Sequence, residues 1–228
     1  MGFWSDFVKV SIVWAIVPYK EPPFGKSRLS NRLTAAQRTT LASTMLEEVV
    51  DALSNSTQIS GILLVSDSIH LDEFSHRKNV IVLETQTDNL RDAVTQAALF
   101  ATNQLNCSTS FIVPADLPLI STEDIDCAIK QHEQVTLIPD VRFKGTNGVI
   151  ATPPNAFEYV FNGQSFNEHQ QNARSAGLRP KSLQIESFAH DVDTFDDLMM
   201  VVQLRPESRT SVVYRSLSTS DSSLLEHS

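Results

Sequence analysis

The chain has 228 residues, of which 41% are hydrophobic and 20% are charged, a composition typical of soluble globular proteins. This composition excludes a wholly disordered chain, a collagen and a coiled coil, and no apolar run approaches the ~20 residues of a membrane span. The formal net charge of −9 argues against a polyanionic partner such as DNA or RNA. A local basic loop can still bind a small anion.

Cysteine usage and the N-terminus indicate the compartment. Cys107 and Cys127 are too few for a disulfide framework or a structural zinc site, so we expect two reduced thiols in a cytoplasmic protein. The N-terminus carries Asp6 and lacks both the basic start and the cleavage site of a signal peptide. A homodimer is the default expectation for such a chain.

Strand-like and helix-like segments alternate along the chain. Apolar runs predict strands over 10–17, 59–65, 79–83, 110–113, 135–138, 149–151 and 183–185. Helical spacing predicts helices over 34–53, 71–76, 88–103, from 121 onward, 165–176 and 194–203. Thr34 and Ser121 are the expected N-caps of two of these helices. The alternation predicts an α/β fold with a mostly parallel central sheet and helices on both faces.

The C-terminal segment differs in character from the rest of the chain. From about Pro206 the sequence is rich in Ser and Thr and has no sustained periodicity. We therefore expect one domain over 1–205 and a flexible tail over 206–228.

The loop after the first predicted strand is unusually basic for an acidic protein. Ligands of such sheets bind at the carboxyl ends of the strands, and this loop, VPYKEPPFGKSRL, places Lys20, Lys26 and Arg28 there. Three cations in a strand-end loop suit a phosphate clamp. The Walker pattern is absent from the loop. The alternative is a solvated loop whose cations serve solubility.

Carboxylates gather at two distant places in the sequence. Asp116 follows a predicted strand between two prolines, in PADLP, and Asp191 and Asp193 form a DxD pair whose side chains point the same way on an extended backbone. If the three meet, they form a site for Mg²⁺. The alternatives are a turn aspartate at 116 that bonds its own backbone, and an N-cap at Asp193 for the following helix.

Further polar residues suit anion binding. Thr146 lies in a Gly-Thr-Asn segment that offers amides and a hydroxyl, and Asn162, Gly163 and Ser165 lie where a helix begins. The alternatives are a tight turn that requires glycine and an ordinary N-cap at Ser165. Asn89 begins another helix, where it either contacts a base or ribose or caps the helix. His169 is a lone histidine, more typical of a packed or solvated residue than of a catalytic one.

Taken together, the motifs resemble one family. The segments VPYKEPPFGKSRL, NLRDA, PADLPLI, GTN, SFNEH and DVDTFDDL resemble the 2-phospho-L-lactate and phosphoenolpyruvate guanylyltransferases of deazaflavin coenzyme F-420 biosynthesis, from about Val10 to Val202. PADLPL and DVDT also occur across the wider nucleotidyltransferase superfamily, whereas KSRL together with GTN and SFxxH is more specific. The chain departs from the pattern in two ways: Asn162 and Gln164 interrupt a glycine-rich stretch, and the first loop contains Pro22 and Pro23.

The resemblance implies a Rossmann-like nucleotidyltransferase fold and a defined reaction. GTP and Mg²⁺ are the implied substrate and cofactor, and the acceptor is a phosphorylated three-carbon acid: phosphoenolpyruvate, 2-phospho-L-lactate or 3-phosphoglycerate. The phosphate of the acid attacks the α-phosphorus of GTP and expels pyrophosphate. The implied metal ligands are Asp116, Asp191 and Asp193, and the implied catalytic residues are Lys20, Lys26, Arg28 and Asp116. The triphosphate is expected to contact Lys20, Lys26 and Arg28. The nucleoside is expected to contact Asn89 and Pro114. The acid is expected to contact Thr146, Ser165 and either Asn162 or Gly163.

Two other functions remain open from the sequence. A molybdenum-cofactor or sugar-phosphate nucleotidyltransferase has a similar fold but begins with a glycine-rich LAGGxSxRxG loop, where this chain has Val-Pro-Tyr-Lys. A non-catalytic nucleotide-binding module would use the same cations and acids for affinity alone. The presence of Lys26, Asp116 and Asp193 together argues against such a module.

Overall fold

The computed structural model describes residues 11–20, 26–67, 71–87 and 89–225. Within these ranges seven strands form one sheet: β1 Val13–Pro18, β2 Ile59–Ser66, β3 Val80–Glu84, β4 Thr109–Ile112, β5 Val135–Pro139, β6 Thr146–Ala151 and β7 Pro180–Ser182. Their spatial order is β3-β2-β1-β4-β6-β5-β7. Strand β6 runs antiparallel to both of its neighbours, and the other pairs are parallel. The predicted α/β fold with a mostly parallel sheet is confirmed.

Six of the seven α-helices of the described chain begin close to where the sequence predicts them, and the seventh, Arg209–Leu225, was not predicted. They are α1 Ala35–Ser54, α2 Asp72–Ser75, α3 Leu90–Gln104, α4 Thr122–Lys130, α5 Ser165–Ser175, α6 Phe195–Leu204 and α7 Arg209–Leu225. The Thr34 hydroxyl accepts from the Gln37 N–H in a capping box, and the Ser121 hydroxyl accepts from the Asp124 N–H at 3.1 Å. Both predicted caps are thereby confirmed. No described helix combines the length and the apolar character that crossing a bilayer requires.

The central strands are buried on both faces, which explains the continuous apolar run of β1. Val13, Ala15 and Val17 pack in one core with α1 and α4. Ile16 points to the other face and packs in a second core with α3 and α5. Helices cover both faces of the sheet, so polar residues at its carboxyl edge are the ones left to meet a ligand.

The last strand lies before the position predicted for it. A strand was expected over 183–185, whereas β7 spans Pro180–Ser182 and pairs in parallel with β5. The Leu183 N–H continues the ladder by donating to the Leu137 carbonyl at 3.0 Å. Pro-Lys-Ser lacks the apolar residues of a buried strand, but a proline is tolerated at the start of an edge strand. The apolar residues at 183–185 therefore gave the wrong position for β7.

The C-terminal segment forms a helix where the sequence predicted a flexible tail. Helix α7 packs along α1, and the Glu48 carboxylate of α1 accepts from the backbone N–H groups of Arg209 at 2.9 Å and Thr210 at 3.2 Å. The Phe195 and Tyr214 rings meet edge to face, with centroids 5.9 Å apart. A helix rich in Ser and Thr has little stability alone, so the stability of α7 comes from these tertiary contacts, which its own composition does not reveal.

Candidate active site

A cavity of about 310 Å³ opens at the carboxyl ends of β1 to β4. Its walls combine apolar side chains from the strands, α1 and α3 with polar groups at the strand ends. The polar lining residues include Lys20, Lys26, Ser66, Asp67, Thr85, Thr87, Asp116 and Thr146. This is the edge of the sheet at which the loops after each strand are expected to bind ligands, and the cavity lies there.

Three carboxylates converge at this edge. Asp116 follows β4, Asp191 and Asp193 precede α6, and one oxygen of each lies within 4.8 Å of the others. A backbone hydrogen bond of 3.0 Å from the Val192 N–H to the Asp116 carbonyl holds the two segments together. The two acidic motifs of the sequence therefore meet in space.

The local alternatives for these aspartates are wrong. Thr194 caps α6 and Asp197 completes its capping box, so Asp193 has no role as a helix cap. Asp116 forms an ion pair with Lys26 instead of closing a turn on its own backbone. Both side chains are thereby directed to the carboxylate cluster.

Lys26 is the cation that faces this cluster. Its ammonium donates to a carboxylate oxygen of Asp116 and, at 3.0 Å, to Oδ1 of Asp193. Its backbone has φ +56° and ψ +33°, a left-handed conformation that costs energy for a residue other than glycine. Strain of this kind persists only where surrounding contacts fix it, and here it directs the ammonium inward.

The other two predicted cations, Lys20 and Arg28, are exposed. The Arg28 guanidinium is 3.5 Å from Oδ2 of Asp193 and its side chain is 72% exposed. Lys20 is exposed and lines the cavity. The prolines expected to shape this loop, Pro22 and Pro23, lie outside the described residues.

In this cluster, burial and neighbouring charges shift the pKa values of Lys26, Asp193 and Asp191. Burial favours a lower pKa for Lys26, but the carboxylates of Asp116 and Asp193 outweigh it and raise the lysine pKa above 10.5. Burial favours a higher pKa for Asp193, and Lys26 and Arg28 overcome it to lower that pKa. Burial, together with the charge of Asp116, raises the pKa of Asp191.

Asn147 is a site residue that motif reasoning missed. It lies on β6, is buried, and its amide donates to the Phe188 carbonyl at 2.8 Å and to Oδ1 of Asp191 at 3.1 Å. This bond partly offsets the upward shift of the Asp191 pKa. The Gly-Thr-Asn motif contains Asn147, but the sequence does not show that its partner is Asp191, 44 residues away.

Thr146, Ser165 and His169 form a buried hydrogen-bonded group beside the cavity. Thr146 begins β6 and lines the cavity, and its hydroxyl oxygen is 3.1 Å from Ser165 Oγ, which donates to it, and 3.0 Å from His169 Nδ1. Ser165 begins α5 but does not cap it, because the N-cap position is Gln164. The interpretation of Ser165 as an ordinary N-cap is therefore wrong.

The remaining predicted residues lie apart from this group. Pro114 lines the cavity, but Asn89 is absent from its lining, and the Asn89 side chain caps α3 by accepting from the Arg91 N–H at 2.9 Å. Asn162 is exposed and bonds Glu168 and the Gln164 N–H. Gly163 has φ +76°, a conformation that favours glycine.

The donor set fits a hard divalent cation. Asp116 Oδ1 is buried and accepts no hydrogen bond from the part of the chain that the structure describes, although it lies beside two further carboxylates. A carboxylate oxygen left without a donor among like charges is expensive unless a cation joins it. Carboxylates are the protein ligands of Mg²⁺, which keeps several waters and bridges to phosphates.

The fold belongs to a known structural class. A crystal structure from Desulfovibrio desulfuricans, of a protein described as a nucleotide-diphospho-sugar transferase, superposes with a TM-score of 0.74 at 17% identity and covers 92% of this chain and 96% of its own. This chain therefore has the fold of that nucleotide-diphospho-sugar transferase structure.

Sequence comparison identifies the family. The family model described as "Guanylyl transferase CofC like" matches residues 13–221, and the chain belongs to this family. A phosphoenolpyruvate guanylyltransferase of Sphaerobacter thermophilus is 34% identical over 81% of this chain and 89% of its own length. A 3-phospho-D-glycerate guanylyltransferase of Colwellia psychrerythraea is 26% identical (83% and 90%), and a 2-phospho-L-lactate guanylyltransferase of Methanoculleus marisnigri is 29% identical (82% and 80%). The resemblance identified from the motifs is confirmed.

Proposed function

We propose that this protein transfers GMP from GTP to the phosphate of a small phosphorylated three-carbon acid and releases pyrophosphate, as a step of deazaflavin coenzyme F-420 biosynthesis. A phosphate oxygen of the acid forms the new bond to the α-phosphorus, and the bond from that phosphorus to the pyrophosphate oxygen breaks. The proposal rests above all on one observation: Asp116, Asp191 and Asp193 converge opposite Lys26 at the mouth of a cavity.

The chemistry requires charge neutralisation more than a protein nucleophile. Two anions must approach each other, so positioning and electrostatic stabilisation supply most of the catalysis. We assign Asp116, Asp191 and Asp193 as ligands of Mg²⁺, which when bound supplies Lewis-acid stabilisation of the phosphoryl oxygens. The structure itself offers the carboxylates and a lysine whose charge the same carboxylates maintain.

The basic loop is assigned to the triphosphate. Lys26 bonds the carboxylates and lines the cavity, as exposed Lys20 does, and Arg28 is exposed beside Asp193; exposed cations of this kind can follow a flexible polyphosphate. The apolar cavity wall, from Pro114 to α1 and α3, suits a nucleobase. Asn89 stays assigned to the nucleoside side, an assignment that requires its side chain to leave the cap of α3.

The acid is assigned to the side of the cavity formed by β6 and α5. Thr146 lines the cavity, and Ser165, which begins α5, donates to the Thr146 hydroxyl. The N-terminus of a helix favours an anion. Gly163 lies two residues before Ser165, has open surroundings and a positive φ, and offers its backbone amide to the acid. Asn162 is the alternative contact to the acid.

The acid is defined here as a chemical class. The relatives cited above are named for phosphoenolpyruvate, 3-phospho-D-glycerate and 2-phospho-L-lactate, which share a carboxylate and a phosphate on a three-carbon frame. A site that recognises these two groups through hydroxyls and amides accepts all three shapes. The choice among them depends on where the site places the phosphate, on the central or the terminal carbon, and on contacts at the central carbon.

A panel assay tests this function. The purified protein is incubated with Mg²⁺, GTP and each of the three acids, and the product is identified by mass, with ATP, CTP and UTP replacing GTP in parallel reactions. We expect a GMP-linked acid and an equal amount of pyrophosphate from at least one acid, and a preference for GTP. GTP binding without a product from any acid would instead identify a nucleotide-binding module.

The metal-site assignment has its own variant. Asp116→Ala is expected to lower turnover by at least about 10²-fold, since it removes a charged ligand from the reaction centre. The control is Glu123→Ala, an exposed acid in the first turn of α4. Near-normal turnover in a folded Asp116→Ala protein would place the metal elsewhere.

A further inference from the structure

His169 is buried in an aromatic enclosure behind the cavity wall. Its ring meets those of Phe157, Tyr159 and Phe161 edge to face, with centroid distances of 5.7, 6.4 and 5.6 Å. Phe161 also lines the cavity, so it separates the imidazole from the ligand space. His169 has no exposed surface and cannot contact a ligand directly.

The backbone fixes the protonation state of this ring. The Val160 N–H donates to His169 Nε2 at 2.9 Å, so Nε2 carries a lone pair and no proton. A neutral imidazole then carries its proton on Nδ1, and Nδ1 lies 3.0 Å from the Thr146 hydroxyl oxygen. Burial supports the neutral form because it lowers the His169 pKa to about 4.

The Thr146 oxygen consequently accepts two hydrogen bonds. His169 Nδ1–H supplies one, and Ser165 Oγ supplies the other at 3.1 Å. A hydroxyl has two acceptor lone pairs and one donor, so its own proton must find a third partner. Among the described residues no acceptor of that proton is present, and Thr146 lines the cavity.

We propose that His169 is a positioning residue that fixes Thr146 as a hydrogen-bond donor toward the acid substrate. Without His169 the Thr146 hydroxyl can rotate and donate to its protein neighbours, and an anion then meets an oxygen lone pair. The proposal relies on the proposed function only in naming the acid as the acceptor; the orientation of the hydroxyl follows from the hydrogen bonds themselves.

The tautomer is tested without any turnover. In protein labelled with ¹⁵N-histidine, long-range ¹H–¹⁵N spectra distinguish a proton on Nδ1 from one on Nε2, and the His169 signals are assigned as those lost in His169→Gln. We expect the Nδ1–H form, unchanged across the neutral pH range. A proton on Nε2, or a titration near pH 6–7 as for a free imidazole, would overturn the proposal.

Two substitutions divide the roles of the ring nitrogens. Asn places its amide near the position of Nδ1 and can still donate to Thr146, whereas Gln reaches toward Nε2 and leaves Thr146 without that donor. We expect His169→Gln to raise the KM for the acid about five- to tenfold, equivalent to about 1–1.4 kcal/mol, with the KM for GTP unchanged. His169→Asn is expected to restore most of the acid affinity.

A double-mutant cycle separates positioning from general damage. Thr146→Val removes the hydroxyl, so adding His169→Gln to it should leave the KM for the acid unchanged. If His169→Gln raises that KM by the same factor in both backgrounds, it acts independently of Thr146 and the proposal is wrong. If no acid is turned over at all, the proposed function fails, while the tautomer result still decides the orientation of Thr146.

Discussion

The amide of Asn147 donates a 3.1 Å hydrogen bond to the carboxylate of Asp191, joining the antiparallel strand β6 to the DxD segment. Asp191 needs this partner because burial and the neighbouring Asp116 raise its pKa, and the amide bond acts in the opposite direction. The Asn147 amide, on β6, therefore favours the ionised form of Asp191, one of the proposed metal ligands.

Removing that amide should weaken the metal site at low pH first. In Asn147→Ala the pKa of Asp191 rises further, so the fall of Mg²⁺-dependent activity on acidification should begin at a higher pH than in wild type. Activity profiles over pH at several Mg²⁺ concentrations measure this shift. Asn172→Ala is the control, since that amide bonds only the Glu158 carbonyl on the surface. Superimposable profiles for the three proteins would show that Asn147 has no such role.

Asp191 and Asp193 should affect stability in opposite directions. The raised folded pKa of Asp191 means that the metal-free protein loses stability as pH rises from about 3.9 through that value. The lowered folded pKa of Asp193 means that its contribution is present above its unfolded pKa and lost as pH falls through the folded value.

We therefore expect Asp191→Asn to raise the melting temperature of the metal-free protein at pH 7, by about 2–4 °C per kcal/mol of relieved repulsion. Asp193→Asn should lower it, because the substitution removes a partner of Lys26. Both variants should lose Mg²⁺ binding. Thermal unfolding in the presence of a chelator provides the measurement, and a shift of the same sign in both variants would contradict this electrostatic description.

Lys26 competes with a cation for the same carboxylates. Its ammonium already bonds Asp116 and Asp193. Lys26→Met should therefore bind Mg²⁺ more tightly than wild type when nucleotide is absent, yet bind GTP more weakly and turn over at least about 10²-fold more slowly. Calorimetric titrations of each ligand separate the effects. Lys181→Met is the control, because Lys181 bonds the Gln131 carbonyl far from the cavity. Weaker Mg²⁺ binding by Lys26→Met would rule out the competition.

Helix α7 depends on a cap supplied by a different helix. The Glu48 carboxylate accepts from the Arg209 N–H, the Thr210 N–H and, at 2.5 Å, the Thr210 hydroxyl. Glu48→Ala should cost about 1–2 kcal/mol of unfolding free energy, as the loss of an N-cap does. Glu47→Ala is the matched control: its ion pair with Arg209 is half exposed, and such pairs contribute about 0–1 kcal/mol. Equal losses in chemical denaturation would contradict the capping role.

The sequence predicted those parts of the site that local chemistry marks. Asp116 follows β4, at the edge where ligands of α/β sheets bind, and Asp191 and Asp193 form a DxD pair before α6; the residue types marked all three as candidate ligands, and the structure shows that they meet. Asn147 escaped prediction because its partner, Asp191, is distant in the sequence. His169 is packed, as the sequence indicates, but its hydrogen bond to Thr146 is not visible from the sequence.

The same distinction applies to the fold. Capped helices and the apolar run of β1 were predicted correctly because the signal lies within the element. Strand β7 and helix α7 were missed because pairing at the sheet edge and a carboxylate from α1 stabilise them. The antiparallel direction of β6 follows from the short turn at 140–145, because a parallel crossover needs a much longer connection.

The most direct test of the proposed metal site is an anomalous-scattering map from crystals grown with Mn²⁺ and a non-hydrolysable GTP analogue. We expect a peak bonded to the carboxylates of Asp116, Asp191 and Asp193, with the Lys26 ammonium turned from Asp116 to the phosphates. A Mn²⁺ peak held by other residues, with Lys26 still paired to Asp116 beside bound nucleotide, would contradict it.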